Sequence, residues 1–317
     1  MGNIWSIKEQ YKRQMGNLWS RGQRGFFHSG SSAPTNHKDI DYVTIQTLGN
    51  ATDFGDLSRV GINMGSASSA TRGLTAGGGN VGGDDTIDYI DIASKGNGAD
   101  FGNLSGNRYA MGDCSNSTRA VWAGGETPGT DDQDVIEYVT ITTMGNVTDF
   151  GNLTDGRSAV NSGLCSSSTR GVFSGGNDPS ASNIIDYITI ASTGDATDFG
   201  DLTDARDRHA ACGSATRGIA AGGNDPSRSN IIDYFTIASA GDATDFGDLT
   251  GVVSEPTGTS SATRGVIHLG QAPSSDTSNI VDYITIATTG DSADFGDLLE
   301  GGYGRGAFSD GHGGLQG

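Results

Sequence analysis

The chain has 317 residues, 34% of them hydrophobic, with 52 glycines and a formal charge of −19. So acidic a chain lacks the clustered Lys and Arg that displace counterions from a phosphate backbone, which excludes a nucleic-acid-binding surface. The glycines keep no triplet period, which excludes collagen, and no apolar run approaches the roughly 20 residues that cross a bilayer as a helix.

In chain order, the first segment stands apart in charge. Residues 1–24 hold Lys8, Lys12, Arg13, Arg21 and Arg24 against Glu9, a net of +4 that leaves −23 for the remainder. No apolar stretch of signal-peptide type follows Met1. Ser6 and Glu9 form a capping box, Ile4, Ile7, Tyr11, Met15 and Leu18 recur at helical spacing, and Gly16 suits a C′ position. These marks predict a short amphipathic helix over 7–15 that is too short to stand alone. The wording Met-Gly-Asn-Ile-Trp-Ser at the start is echoed as Met-Gly-Asn-Leu-Trp-Ser from Met15. Trp5, Ile7, Tyr11, Met15 and Trp19 are therefore candidate anchors of a docking arm, residues 1–23, for a partner surface.

From Arg24 onward one unit is written six times. Tyr42, Tyr89, Tyr138, Tyr187, Tyr234 and Tyr283 follow at intervals of 47 to 49 residues, and Asp-Phe-Gly comes eleven or twelve residues after each, at Phe54, Phe101, Phe150, Phe199, Phe246 and Phe295. Upstream, Arg24, Arg72, Arg119, Arg170, Arg217 and Arg264 fall in register. A shared period of about 48 residues leaves no room for an internal boundary, so residues 24–317 are one repeat domain. Residues 158–203 read as four strands, over 158–167, 170–176, 184–192 and 196–203. Small residues such as Met111-Gly-Asp-Cys114 and Ala210-Ala-Cys212-Gly213 recur in the first of them, as strands converging on an axis require. The repeat Tyr and Phe supply bulk further out.

These marks predict an all-β, six-bladed β-propeller of four strands per blade. The first unit opens at its second strand, Arg24 to Gly30, and Tyr303 to Gly311 matches a first strand and then stops. The C-terminal strand is thus expected to complete the blade that the N-terminal strand begins, a latch that leaves few free sheet edges.

The order of Gly-Gly closing the second strand, Tyr on the third, an aromatic on the fourth and a following Arg resembles the kelch repeat, most closely at Arg208-His209-Ala210-Ala211, Gly222-Gly223 and Asp233-Tyr234. Phe replaces the fourth-strand Trp of kelch in every blade. The run Asp186-Tyr-Ile-Thr-Ile-Ala-Ser-Thr-Gly-Asp-Ala-Thr-Asp-Phe-Gly-Asp-Leu202 resembles kelch-type virion proteins of aquatic tailed phages, especially those infecting cyanobacteria. That resemblance implies a non-enzymatic virion appendage protein that contacts other virion or fibre proteins through the arm, with a host-surface glycan as ligand and self-association open. A bacterial extracellular fibre or adhesion subunit is the alternative, and a glycan-processing enzyme the third reading.

Residues present once per blade serve the blade. The acids before Tyr (Asp41, Asp88, Glu137, Asp186, Asp233, Asp282) and before Phe (Asp53, Asp100, Asp149, Asp198, Asp245, Asp294), with the repeat arginines, are expected to cap turns and pair as ions rather than to catalyse. Cys114, Cys165 and Cys212 are one position seen three times, expected to be buried filler too far apart for disulfides. The five histidines share no motif, so no metal or cofactor is expected. What differs between blades lies in the second-to-third-strand loops and in the connections between blades, which share one face. This singles out Asn80, Glu126, Asn177, Asp178, Arg206, Asn224, Asp225, Arg228 and Gln271 as candidate binding-face residues.

Overall fold

The computed structural model describes residues 23–32, 34–79, 83–129, 132–160, 163–224, 226–274 and 277–316. Six antiparallel sheets stand in a ring, so the chain is a six-bladed β-propeller. Blade 1 has the order Gly306–Ser309, Arg24–His28, Asp39–Thr44, Thr52–Asp56. The expected latch is present: Phe26 pairs with Phe308 and Phe27 with Ala307 across the join. Blades 2, 3, 5 and 6 each run outward through four consecutive strands, beginning at Gly65–Ser68, Gly112–Ser115, Ala210–Gly213 and Thr257–Ser260.

Blade 4 departs from the pattern. Its regular sheet has three strands, Arg170–Ser174, Ile184–Thr189 and Thr197–Asp201, and the innermost segment is tied on by a Ser166–Gly171 bridge and by the bonds from Val172 N–H to Cys165 O and Ser167 N–H to Arg170 O. Gly163 instead forms a parallel bridge with Gly258 of blade 6. A Cβ at Gly163 would lie 2.2 Å from Ala211 O and 2.3 Å from Gly258 O, so only glycine lets the backbone cross there. Leu164, 2% exposed, joins the apolar cluster that holds Met64 and Phe308, from the blades across the ring.

The once-per-blade residues join neighbouring blades. In the second strand Arg72, Arg119, Arg170, Arg217 and Arg264 each lay the guanidinium over the Tyr of their own blade at 4.0 to 4.6 Å. Each also donates to a carbonyl of the following blade, at Ile141, Ile190, Ile237, Ile286 and Ile45. The expected ion pairing of these arginines with the repeat acids is therefore incorrect; a planar cation over an aromatic face, with a carbonyl at its edge, uses the guanidinium without a carboxylate.

The glycine of Asp-Phe-Gly has an equally direct cause. At Gly102, Gly151 and Gly200, φ is between +141° and +156°, and an added Cβ would lie 2.2 to 2.6 Å from the backbone of Gly145, Gly194 or Gly241 in the next blade. The turn that presses there also supplies an acceptor, as Asp195 Oδ1 takes the Asn152 N–H at 3.0 Å. Cys114, Cys165 and Cys212 are free and buried, with their sulfurs over Gly171, Gly218 and Gly265 of the next blade.

At the axis the serines of the inner strands form a directional chain. Ser166 Oγ donates to Ser115 O, Ser115 Oγ to Ser68 O, Ser68 Oγ to Ser309 O, Ser309 Oγ to Ser260 O and Ser260 Oγ to Gly213 O, at 2.6 to 3.0 Å. After Ser309 the chain turns into the channel. A Cβ on Gly313 would meet Ser166 O and Ser214 O, and one on Gly314 would meet Ser115 O. His312 Nδ1 accepts from Gly314 N–H at 3.2 Å, which leaves Nε2–H to donate to Ser68 O at 3.2 Å. Gln316 Oε1 accepts from Ala215 N–H. Residues 312–316 therefore stopper the channel at the end bearing the first-to-second-strand turns.

Four histidines are held neutral in this interior. Burial, reinforced by Arg305 for both and by Arg59 for His28, pushes His28 and His268 down to about 3. Burial takes His312 down to about 4, and burial with Arg206 and Arg157 takes His209 well below the ordinary value. The unfolded chain binds these protons first, so their contribution is full above about pH 6.5 and is lost as pH falls towards 3 to 4. Buried Asp41, pushed up to about 6, and Asp113, pushed well up, act in the opposite sense, as do the smaller upward shifts of Glu255 and Asp310. Each histidine carries about 1.4 kcal/mol per pH unit. The expected net result is a fall in unfolding free energy of about 2 kcal/mol per unit between pH 6 and 5, read from urea midpoints. His28→Ala with His268→Ala, which copies Ala76, Ala123 and Ala221 at the same strand position, is expected to flatten that slope.

Candidate functional site: the axial funnel on the loop face

The end of the ring opposite the stopper gathers the second-to-third-strand loops and the inter-blade connections. Main-chain bridges tie the two sets together at one equivalent place in five blades: Ser31 with Tyr303, Tyr109 with Glu126, Ser158 with Asn177, Asp207 with Asn224 and Ser254 with Gln271. In blade 2 the Gly79 N–H donates to Ile62 O. Expected binding-face residues Glu126, Asn177, Asn224 and Gln271 thus occupy one backbone position with different side chains, held in place at its base.

One residue further along, each connection passes through a left-handed backbone. Asn63, Ala110, Ala159, Arg208, Glu255 and Gly304 have φ between +50° and +59°. A non-glycine residue there costs on the order of 1 to 2 kcal/mol. Bonds between adjacent blades offset part of this, from Asn63 N–H to Gly304 O, Ala110 N–H to Asn63 O and Arg208 N–H to Ala159 O. Sequence reading missed this ring because Ala110, Ala159, Arg208 and Glu255 carry no turn signature, and Asn63 and Gly304 mark the place only when the six connections are set in register.

Inside the ring lies a cavity of about 110 Å³ that opens on the loop face. Its apolar lining includes Met64, Met111, Val160 and Pro256, and its polar lining includes Tyr109, Glu126, Asp207, Arg208 and Glu255. Tyr109 has its hydroxyl in a hydrogen bond with the Glu126 carboxylate; partial burial and that bond raise it to about 12. Arg208 Nη1 stands 3.6 Å from Glu255 Oε1 and Nε 3.9 Å from Asp207 Oδ2, with the Arg208 side chain half-exposed. Glu255 Oε2 is buried without a hydrogen-bond partner, and burial raises the pKa of this carboxyl.

Arg208 and Glu255 also form one wall of a broader cleft of about 530 Å³ over blades 5 and 6. Here Arg228 donates through Nε to Ser254 Oγ at 3.0 Å and through Nη2 to Gln271 Oε1 at 2.7 Å, while Val252 is exposed between the loops. Glu126 and Asn177 thus reach the funnel, and Asn224, Arg228 and Gln271 the cleft. Asp178 is exposed at a loop tip where its N–H donates to Ser180 O. Asn80, Asp225 and the arm residues Trp5, Ile7, Tyr11, Met15 and Trp19 lie outside the described residues.

Arg206 is not a surface residue. It is 1% exposed, and its Nη2 is 2.5 Å from Asp233 Oδ2, while Asp233 also accepts from Thr203 Oγ1 at 2.7 Å. It belongs to a set of arginines that serve the acids of the third strand: buried Arg108 with Glu137, buried Arg157 with Asp186 and, less closely, partly buried Arg59 with Asp88. Arg305 pairs with Asp39. The expected turn-capping by acids does hold for these third-strand carboxylates, as Thr154, Thr203 and Thr250 at the inter-blade connections donate to Asp186, Asp233 and Asp282.

Fold and site together describe a propeller with a stoppered channel and a polar funnel on the opposite face. No protein-family model matches the chain, and no curated protein matches it.

Proposed function

We propose that the chain is a non-catalytic binding subunit of a virion appendage, docked through residues 1–23 and using its loop face to recognise a glycan of the host surface. The observation that carries this reading is where the blades differ. Arg170-type bridges, Asp-Phe-Gly contacts and axial serines are spent on joining blades, whereas Ser31, Gly79, Glu126, Asn177, Asn224 and Gln271 vary on one fixed backbone position around a funnel. Rigid scaffolding under side chains that differ is how a recognition face is built.

The docking half of the reading draws on polarity. Gln23 lies against Gly311, and Arg24 N–H donates to Asp310 Oδ1 at 2.7 Å, on the stoppered end. An arm that leaves from there points the funnel away from whatever holds it. The test has two parts. On an array of host-surface polysaccharides the intact chain is expected to bind a defined subset. The quadruple variant Glu126→Ala, Asn177→Ala, Arg228→Ala, Gln271→Ala is expected to bind at least tenfold more weakly with an unchanged unfolding midpoint. Deleting residues 1–22 is expected to preserve array binding and abolish incorporation into particles. An array with no positive spot, or equal binding by the quadruple variant, overturns the recognition half; incorporation of the truncated chain overturns the docking half.

A further inference from the structure

The second-to-third-strand loops of blades 4 and 5 differ at one residue. Asn177-Asp-Pro-Ser-Ala181-Ser-Asn183 and Asn224-Asp-Pro-Ser-Arg228-Ser-Asn230 are otherwise identical, and main-chain bridges close both in the same way, Asn177 with Ala181 and Asn224 with Arg228. Arg228 is therefore a side chain added to a loop that folds without it.

Its seat is neutral. Buried Arg108, Arg157 and Arg206 stand against carboxylates, and Arg170 and its equivalents lie over tyrosines. Arg228 instead donates through Nε to Ser254 Oγ and through Nη2 to Gln271 Oε1, two uncharged oxygens. At the equivalent place after blade 4 stand Asp207 and Asn224. The position that offers an acid there offers a hydroxyl to Arg228. No carboxylate among the described residues forms an ion pair with it. Bonds from Nε and Nη2 occupy the side edge of the guanidinium, which fixes its plane and leaves the parallel N–H pair of the end edge. Ser254 and Gln271 also exchange main-chain bonds at 3.1 and 2.9 Å. The seat is thus built before any ligand arrives, which lowers the ordering cost of binding.

We propose that the cleft over blades 5 and 6 binds an acidic sugar, with the Arg228 fork taking the oxyanion of its uronate carboxylate or sulfate ester. Two oxygens of such a group match two parallel N–H donors and gain from the charge, whereas a sugar hydroxyl does neither. Val252, Pro226 and Pro273 are exposed in the same cleft and offer apolar surface to the carbon face of the ring. The other cation of the cleft, Arg208, is balanced by Glu255 and Asp207, so Arg228 is the charge in excess. The net charge of −19 repels an anion at long range, but salt screens that field beyond about 8 Å at physiological ionic strength, while the fork acts at contact.

The inference rests on the glycan-binding reading above and is tested on the intact chain by titration calorimetry with three probes: tetragalacturonate, its fully methyl-esterified form and a sulfated galactan tetrasaccharide. At least one anionic probe is expected to bind at least tenfold more tightly than the ester, and which one does so identifies the oxyanion. Arg228→Ala, which copies the blade 4 loop, is expected to erase that preference with an unchanged unfolding midpoint. Gln271→Glu, which sets a carboxylate on the guanidinium, is expected to do the same. Arg228→Lys keeps the charge without the fork and is expected to stay at least fivefold weaker than the parent chain. Equal binding of the ester and both anions, no binding of any probe, a preference untouched by Arg228→Ala, or full affinity in Arg228→Lys overturns the fork. Each of these outcomes leaves the glycan reading standing as long as the polysaccharide array is positive, and positive spots confined to neutral polysaccharides sink the acidic-sugar inference alone. An array without a positive spot removes both.

Discussion

A chain lacking residues 306–317 is expected to lose cooperative unfolding altogether. The segment supplies the innermost strand of blade 1, whose four residues are all buried, and with it the hydrogen-bonded pairing to Arg24–His28 by which the ring closes. Phe308 stacks on Phe26 at 5.1 Å and fills the space beside Gly73 in blade 2, Ala307 is fully buried, and Ser309 carries the axial chain from Ser68 to Ser260. Its loss exposes Arg24–His28 as a bare sheet edge carrying two aromatic rings, a template for pairing between molecules. Burial of one large aromatic is worth about 2 to 3 kcal/mol and its removal from a core about 3 to 5, against a total stability of roughly 5 to 15. The measurement is a urea transition followed by fluorescence together with size-exclusion chromatography. The expected outcome is a broad, non-cooperative transition and aggregated material, rescued by adding a peptide of residues 303–317. A monomeric, cooperatively unfolding truncation would show that the latch is dispensable.

Arg206→Val is expected to cost about 3 to 5 kcal/mol, since removing one partner of a buried pair leaves the other as an uncompensated charge. Asp233 is fully buried, so its carboxylate must then protonate or draw in water. The molecule also contains the remedy. At the corresponding place before blade 6 stands Val253, and Asp282 of blade 6 accepts from Thr250 N–H at 3.0 Å, Thr250 Oγ1 and, at 2.6 Å, Ser292 Oγ. The residue of blade 5 that matches Ser292 is Ala243. Arg206→Val with Ala243→Ser rebuilds the blade 6 arrangement and is expected to recover most of the loss, measured by urea midpoints at pH 7. Array binding is expected to be unchanged in both variants, which separates the buried role of Arg206 from the recognition role that its position near variable loops suggests. A double variant no more stable than the single one would show that the two carboxylate solutions are not interchangeable.

Much of the architecture was legible because blades repeat and the eye aligns what repeats. Tyr and Phe mark the third and fourth strands of every unit, and the orphan second strand at Arg24 and orphan first strand at Ala307 together announce the closure. What failed was whatever lost its register. The arginines that pair with the acids do not align: Arg108, Arg157 and Arg206 share a place, Arg59 and Arg305 reach from others, and Val253 holds that place before blade 6. With no column to see, sequence alone points to the aligned arginines at Arg72 and its equivalents as partners of the acids, whereas they lie over tyrosines. Nor does the wording around Gly163-Leu164 differ enough from a first strand to reveal a segment that crosses the axis. The loop face stands out in the sequence by its variation, but the funnel at its centre depends on the ring of left-handed residues, which is a property of backbone and not of composition.

Gln23 and Gln316 both lie on the stoppered end of the ring. A sensor surface or a fused reporter joined through either residue would therefore hold every molecule the same way up. Many copies on one support would present a carpet of parallel funnels, where weak individual contacts to a repeating polymer add as avidity set by the spacing of the copies.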